Sequence, residues 1–64
     1  MIEKQALMKA AQAAYEQRIR EVFGCEAGER SARLNERTIA WSELSTTELE
    51  SEMRIARAAL ASTI

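Results

Sequence analysis

The first third of the chain carries apolar residues at the spacing of an amphipathic helix. Between positions 7 and 22 these residues fall within roughly a third of the helical circumference, as a single buried face requires. Residues 3–23 are also rich in alanine, glutamate, glutamine, lysine and arginine, which favour helix. Gly24 follows at the position where many helices end in the left-handed conformation. The pattern therefore predicts a helix over residues 3–23.

The last third of the chain predicts a second helix, over residues 46–62. Ser45 and Glu48 have the spacing of a capping box, in which each side chain accepts a hydrogen bond from the backbone amide of the other residue. Apolar residues then recur on one helical face, at Leu49, Met53, Ala56 and Leu60. The two predicted helices leave a middle segment of about twenty residues between them.

The middle segment predicts a loop and then a β-hairpin. Residues 24–30 contain both glycines and no apolar period, which is typical of a loop. In residues 31–43 the apolar period changes to two, as in strands, with Asn35-Glu36 at the position of the turn. Whether the turn has two residues or four, the same apolar set shares one face: Ala32, Leu34, Ile39 and Trp41. We expect this face to pack on the helices, because an isolated hairpin is marginally stable in water.

These elements predict an α+β fold with a single domain over residues 1–64. Two antiparallel helices would pack together, and a two-stranded hairpin between them in the chain would pack at one end of the helix pair. The expected core consists of Leu7, Ala11, Tyr15, Ile19, Val22, Leu34, Ile39, Trp41, Leu49, Met53, Ala56 and Leu60. Trp41 is interpreted as a core anchor rather than as an interface residue, because it is in phase with Leu34 and Ile39.

Composition argues against a catalytic role. The chain has 64 residues, one cysteine and no histidine, so neither an internal disulfide nor the usual zinc-binding sets of cysteine and histidine can form. No motif fixes a nucleophile or a general base, and we predict no catalytic, cofactor-binding or metal-binding residues. Cys25 follows a predicted helix C-terminus, where the helix dipole disfavours a thiolate, and is interpreted as a packing residue.

Charge indicates a protein-binding domain. Nine basic residues oppose ten acidic ones, and a net charge of −1 disfavours a dedicated nucleic-acid binder. Seven of the nine cations are arginine, a residue enriched at interfaces. The candidate interface residues are Arg30, Arg33, Arg37, Arg54 and Arg57. The default interpretation of these arginines is a solvated surface, in which Arg54 pairs with Glu50 one helical turn earlier, and partner docking is the alternative.

No membrane-spanning stretch or secretory signal is evident. The N-terminal residues 1–5 lack the apolar region of such a signal. We therefore expect a soluble intracellular protein, or one that is released only within a larger assembly. The lone thiol also fits a reducing compartment.

The order helix, hairpin, capped helix resembles the lambda-type head–tail joining (head completion) protein W family of tailed bacteriophages. The resembling segments are LMKAAQAAY at 7–15, SARLNERTIAWS at 31–42 and STTEL at 45–49. The resemblance implies a non-enzymatic virion-assembly protein of a phage or prophage that closes the DNA-filled capsid at the portal and receives the tail-side protein. The loop after the first helix is longer and more acidic than in the family. A polar, basic segment after the second helix is lacking.

The family's partners would be the portal or connector and the tail-side proteins. The resemblance also implies a monomer in solution that forms a ring on assembly, in the host cytoplasm and then in the virion. Any DNA contact would not be sequence-specific, and no membrane is involved. Two alternatives remain open, a ribbon–helix–helix-like transcriptional regulator and an antitoxin-type protein-binding module.

Overall fold

The computed structural model describes residues 3–62 and has an α+β architecture. Its elements in chain order are helix α1 (Lys4–Phe23), strand β1 (Arg30–Ser31), strand β2 (Glu36–Arg37), a 3-10 helix (Trp41–Glu43) and helix α2 (Thr46–Ala61). The predicted order of helix, hairpin and helix is confirmed. The predicted domain also included residues 1–2 and 63–64, which lie outside the described residues.

Both predicted helix boundaries next to the middle segment are confirmed. Gly24 ends α1 in the left-handed region, with a φ of 69°, and its amide donates to the carbonyl of Arg20 at 2.9 Å. At the start of α2, the amide of Glu48 donates to Ser45 Oγ at 3.2 Å. The amide of Ser45 donates in return to Glu48 Oε1 at 3.1 Å, which completes the capping box.

Replacing Ser45 by alanine tests this cap. We expect Ser45→Ala to lower the free energy of unfolding by about 1 kcal/mol, because one amide at the start of α2 loses its acceptor. Urea denaturation measures the change. Ser42→Ala is the matched control, because Ser42 is exposed and its side chain makes no hydrogen bond within the described part of the chain. Equal stability of both variants would contradict a stabilising cap.

The two helices are antiparallel and pack through small residues. Arg18, late in α1, forms an ion pair with Glu52, in the first half of α2. Leu7, early in α1, belongs to a buried cluster with Ala11 and Ala56. Trp41, Met53 and Leu60 pack against this cluster. The alanines at the centre of this cluster allow the helix axes to approach closely. The two helices supply most of the residues of the apolar core.

The predicted core is correct for the helix–helix contact and wrong at three positions. Buried as predicted are Leu7, Ala11, Tyr15, Ile19 and Ala56. Partly buried are Trp41, Leu49, Met53 and Leu60. Val22, Leu34 and Ile39 are instead exposed, at 59%, 43% and 47%. The hairpin lies against the flank of α1 that carries Ile19 and Phe23, which leaves Val22 uncovered.

The hairpin is shorter than predicted, and its strands lie elsewhere. Arg30 pairs with Arg37 and Ser31 with Glu36, so that residues 32–35 form a four-residue turn. Asn35 has a positive φ of 60°, a conformation that asparagine tolerates. Glu36 lies in β2 rather than in the turn, and Trp41 opens the 3-10 helix rather than extending a strand.

The predicted buried face of the hairpin is wrong at three of its four residues, since only Trp41 packs against the core. Ala32, Leu34 and Ile39 are exposed, whereas Ser31 and Thr38 are 0% and 3% exposed. The two buried residues are hydroxyl-bearing, and each is hydrogen-bonded, as burial of a polar group requires. The hairpin thus turns its small polar side chains inward and leaves large apolar ones at the surface.

Candidate protein-docking surface

Ser31 joins the hairpin to the C-terminal end of α1. Its Oγ donates to the carbonyl of Phe23 at 2.9 Å and accepts from the amide of Leu34 at 3.2 Å. The last carbonyls of a helix have no partner within that helix and need one elsewhere. One serine therefore caps α1 and also fixes the turn of the hairpin.

Thr38 joins the hairpin to the loop that follows α1. Its Oγ1 lies 2.7 Å from the carbonyl of Glu29, to which it donates, and accepts from the amide of Gly28 at 3.0 Å. Gly28 has a φ of 92°, and a Cβ there would lie 3.1 Å from the Cβ of Ala40. The loop therefore needs glycine at this position for its backbone conformation and for the close approach of the next segment.

Tyr15 holds the chain that leaves the hairpin. Its hydroxyl donates to the carbonyl of Ile39 at 2.5 Å, and its ring lies 5.8 Å from the ring of Trp41 at an angle of 56°. Burial, together with the nearby carboxylate of Glu52, raises the pKa of Tyr15, so the hydroxyl keeps its proton. The bond uses only the backbone of Ile39, which leaves the Ile39 side chain facing solvent.

An open apolar groove of about 190 Å³ lies between α1 and the hairpin. Residues of α1 form one wall, namely Tyr15, Ile19 and Phe23. Leu34 and Ile39 line the other side with about half of their surface exposed. Pockets for metabolite-sized ligands usually measure about 300–1,000 Å³. This groove matches the size of one inserted apolar side chain, which is typical of a protein contact.

Arg37 and Glu43 form a charged clamp beside the groove. Arg37 Nη2 lies 2.8 Å from Glu43 Oε1, and Nη1 lies 3.2 Å from Oε2, so the pair is bidentate. This bond raises the pKa of Arg37 and, with a hydrogen bond from the amide of Ala40, lowers the pKa of Glu43. The clamp ties the end of β2 to the 3-10 helix and fixes the backbone on either side of Ile39.

The structure does not gather the predicted interface arginines into one surface. Arg30 donates to Asn35 Oδ1 at 2.7 Å. Arg33 donates to the carbonyls of Glu21 and Val22 at 3.2 and 3.1 Å, and therefore caps the end of α1. Arg37 belongs to the clamp. Arg54 and Arg57 lie apart from these three, on the exposed surface of α2.

Cys25 is partly buried beside Thr38, with its Sγ 3.9 Å from Thr38 Oγ1 and 3.7 Å from the carbonyl of Glu29. Over residues 3–62, no three side chains of cysteine, histidine, aspartate or glutamate are grouped so that they could hold a metal ion.

Within the same range, no helix is both long enough and apolar enough to cross a membrane.

Comparisons of the chain with protein-family models, curated proteins and solved structures find no match. The groove is therefore interpreted from its own residues. Sequence reasoning missed it because Leu34 and Ile39 were assigned to the core. The signal that could have revealed it is the pair of hydroxyl residues, Ser31 and Thr38, each of which directly precedes a residue of the apolar set. Short hydroxyl side chains can be buried where backbone groups need partners.

Proposed function

We propose that this chain is a non-enzymatic docking protein of a phage head–tail junction, which binds the portal or connector and receives the tail-side protein. The observation that carries the proposal is the apolar groove rimmed by Leu34 and Ile39. The order of elements, in which a hairpin lies between two antiparallel helices, is the order that resemblance to the protein W family implies. It supports the assignment of the groove to virion assembly.

The exposure of the groove residues favours a protein as the occupant. Two large aliphatic side chains, Leu34 and Ile39, remain about half exposed and line the same groove. Apolar anchors that enter such small depressions often supply most of the binding energy at interfaces. Since hydrogen bonds hold the backbone beneath Leu34 and Ile39, little conformational entropy would be lost on docking.

The proposed assembly state is a monomer in solution that forms a ring at the portal, in the host cytoplasm and then in the virion.

The order of elements does not favour a ribbon–helix–helix regulator. That architecture has a strand followed by two helices, whereas here the longest helix precedes both strands. Any contact with packaged DNA would involve phosphates rather than base edges.

The test measures binding to the portal ring encoded in the same phage or prophage genome. We expect the protein to bind the purified ring, and Ile39→Glu to weaken that binding at least about tenfold, because a charge replaces an apolar side chain that lines the groove. The hydrogen bond from Tyr15 uses the backbone of residue 39, so the fold should persist in the variant. Circular dichroism checks this point.

Ile55→Glu is the matched control. Ile55 is 48% exposed, nearly the same as Ile39 at 47%, but lies on α2 away from the groove. We expect the control to bind the portal ring like the original protein. No binding of the unmodified chain to portal, connector or tail-side proteins would reject the proposed function. Equal loss in both variants would reject the groove as the docking site.

A further inference from the structure

The arginines of this protein divide into two groups by their contacts. Five have acceptors within the domain: Arg18, Arg20, Arg30, Arg33 and Arg37. Arg54 and Arg57 have neither a hydrogen-bond acceptor nor a carboxylate within 4 Å among residues 3–62. The predicted pair of Glu50 with Arg54 is not formed. Two full positive charges therefore face solvent on consecutive turns of one helix.

Arg54 and Arg57 line one shallow groove together with Glu50 and Met53. Their spacing of three residues places both guanidinium groups on the same side of α2. Met53 adds a partly buried apolar side chain to the same groove. The surface thus combines two unpaired bidentate donors with one apolar contact, and it lies on a different element from the groove between α1 and the hairpin.

We propose that this surface of α2 binds an acidic segment of a partner protein. Guanidinium groups pair with carboxylates in a planar, two-bond geometry, and a flanking apolar residue of the segment would contact Met53. The proposal is independent of the function proposed above, because it concerns other residues and does not require a portal protein.

The surrounding charges favour a short acidic peptide over nucleic acid. Glu50 lies within the same groove, and Glu48 and Glu52 precede the arginines on α2. A phosphate backbone would bring regularly spaced charges against these glutamates, whereas a segment with one or two carboxylates would contact the arginines alone. The net charge of −1 opposes a long polyanion further.

The test is an NMR titration of the ¹⁵N-labelled protein with the hexapeptide acetyl-Ala-Glu-Leu-Ala-Glu-Leu-amide, which carries two carboxylates. We expect the side-chain Nε–Hε signals of Arg54 and Arg57 to shift and to saturate, while those of Arg30 and Arg37 stay in place. The peptide with glutamine in place of glutamate should cause no shift. Absence of shifts at Arg54 and Arg57 with the acidic peptide would overturn the proposal.

Two double variants of equal charge separate a site from general electrostatics. Arg54→Gln with Arg57→Gln should weaken peptide binding roughly two- to thirtyfold, the loss expected for two exposed ion pairs. Arg20→Gln with Arg30→Gln removes the same charge from arginines that already have partners, and it should leave the affinity unchanged. Equal weakening in both would overturn the proposal. Stronger shifts with a DNA duplex at equal charge concentration, or self-association without peptide, would do the same.

Discussion

Replacing Leu7 by alanine is expected to lower the free energy of unfolding by roughly 2–5 kcal/mol. Leu7 is 2% exposed and packs in the cluster with Ala11 and Ala56. Alanines have no side-chain length with which to fill the cavity, so little relaxation can reduce the loss. A domain of this length has a total stability of only about 3–10 kcal/mol. We therefore expect a large unfolded fraction of Leu7→Ala at 37 °C, measured by thermal and urea denaturation.

Val22→Ala is the control for this prediction. Sequence periodicity assigns both Leu7 and Val22 to the buried face of α1, but Val22 is 59% exposed. Its replacement should change stability by no more than about 0.5 kcal/mol, because little buried surface is lost and alanine favours helix. Similar destabilisation by both variants would mean that the periodicity, rather than the packing in the structure, describes the core.

The helices were predictable because their signals are local. The capping box needs only two residues three apart, and Gly24 ends α1 through its own backbone conformation. The contacting faces follow from a period of 3.6, which a single helix already displays. The antiparallel arrangement does not follow from these local signals, because the segment between Phe23 and Thr46 is long enough to connect the helices in either direction.

The inward face of the hairpin was not predictable from the same kind of signal. A period of two shows which residues share a side of a strand, but the protein outside the strand decides which side is buried. Here the neighbour is the end of α1, whose carbonyl at Phe23 needs a donor. A serine supplies that donor and an isoleucine cannot. Hydrogen bonding, rather than the hydrophobic pattern, therefore decides which side chains are buried over residues 31–38.

The contacts of the candidate arginines were likewise not predictable from the sequence. Composition indicated an excess of arginine, but pairing depends on residues far apart in the chain. Arg18 binds Glu52 across the two helices, and Arg33 reaches back to the carbonyls of Glu21 and Val22. Only the folded chain distinguishes these internal contacts from Arg54 and Arg57, which have no such partner among residues 3–62. Residue type alone therefore could not divide the candidate arginines by role.

The exposed groove is a consequence of the polar anchoring of the hairpin. Because Ser31 and Thr38 attach the hairpin through hydrogen bonds, its aliphatic side chains are not needed for attachment and remain available at the surface. A hairpin held by Leu34 and Ile39 would have had no groove to offer. The stability of the candidate docking surface therefore depends on two small hydroxyl side chains rather than on the groove residues themselves.

Replacing Thr38 by valine is accordingly expected to lower the free energy of unfolding by roughly 1–3 kcal/mol, although the two side chains have nearly the same shape. The amide of Gly28 would lose its acceptor, and the carbonyl of Glu29 would lose the hydroxyl donor at 2.7 Å. Because the residue is 3% exposed, water cannot replace these bonds without opening the loop. Urea denaturation measures the loss, and faster amide hydrogen exchange at Gly28 would locate it.

Two further variants separate the hydroxyl from shape and from strand preference. Thr38→Ser keeps the hydroxyl and removes one methyl group, so it should cost only about 1 kcal/mol. Thr47→Val makes the same chemical change as Thr38→Val at an exposed position of α2, and it should stay within about 0.5 kcal/mol. A lower stability of Thr38→Ser than of Thr38→Val would mean that methyl packing, rather than hydrogen bonding, attaches the hairpin. The exposure of Leu34 and Ile39 would then not result from polar anchoring.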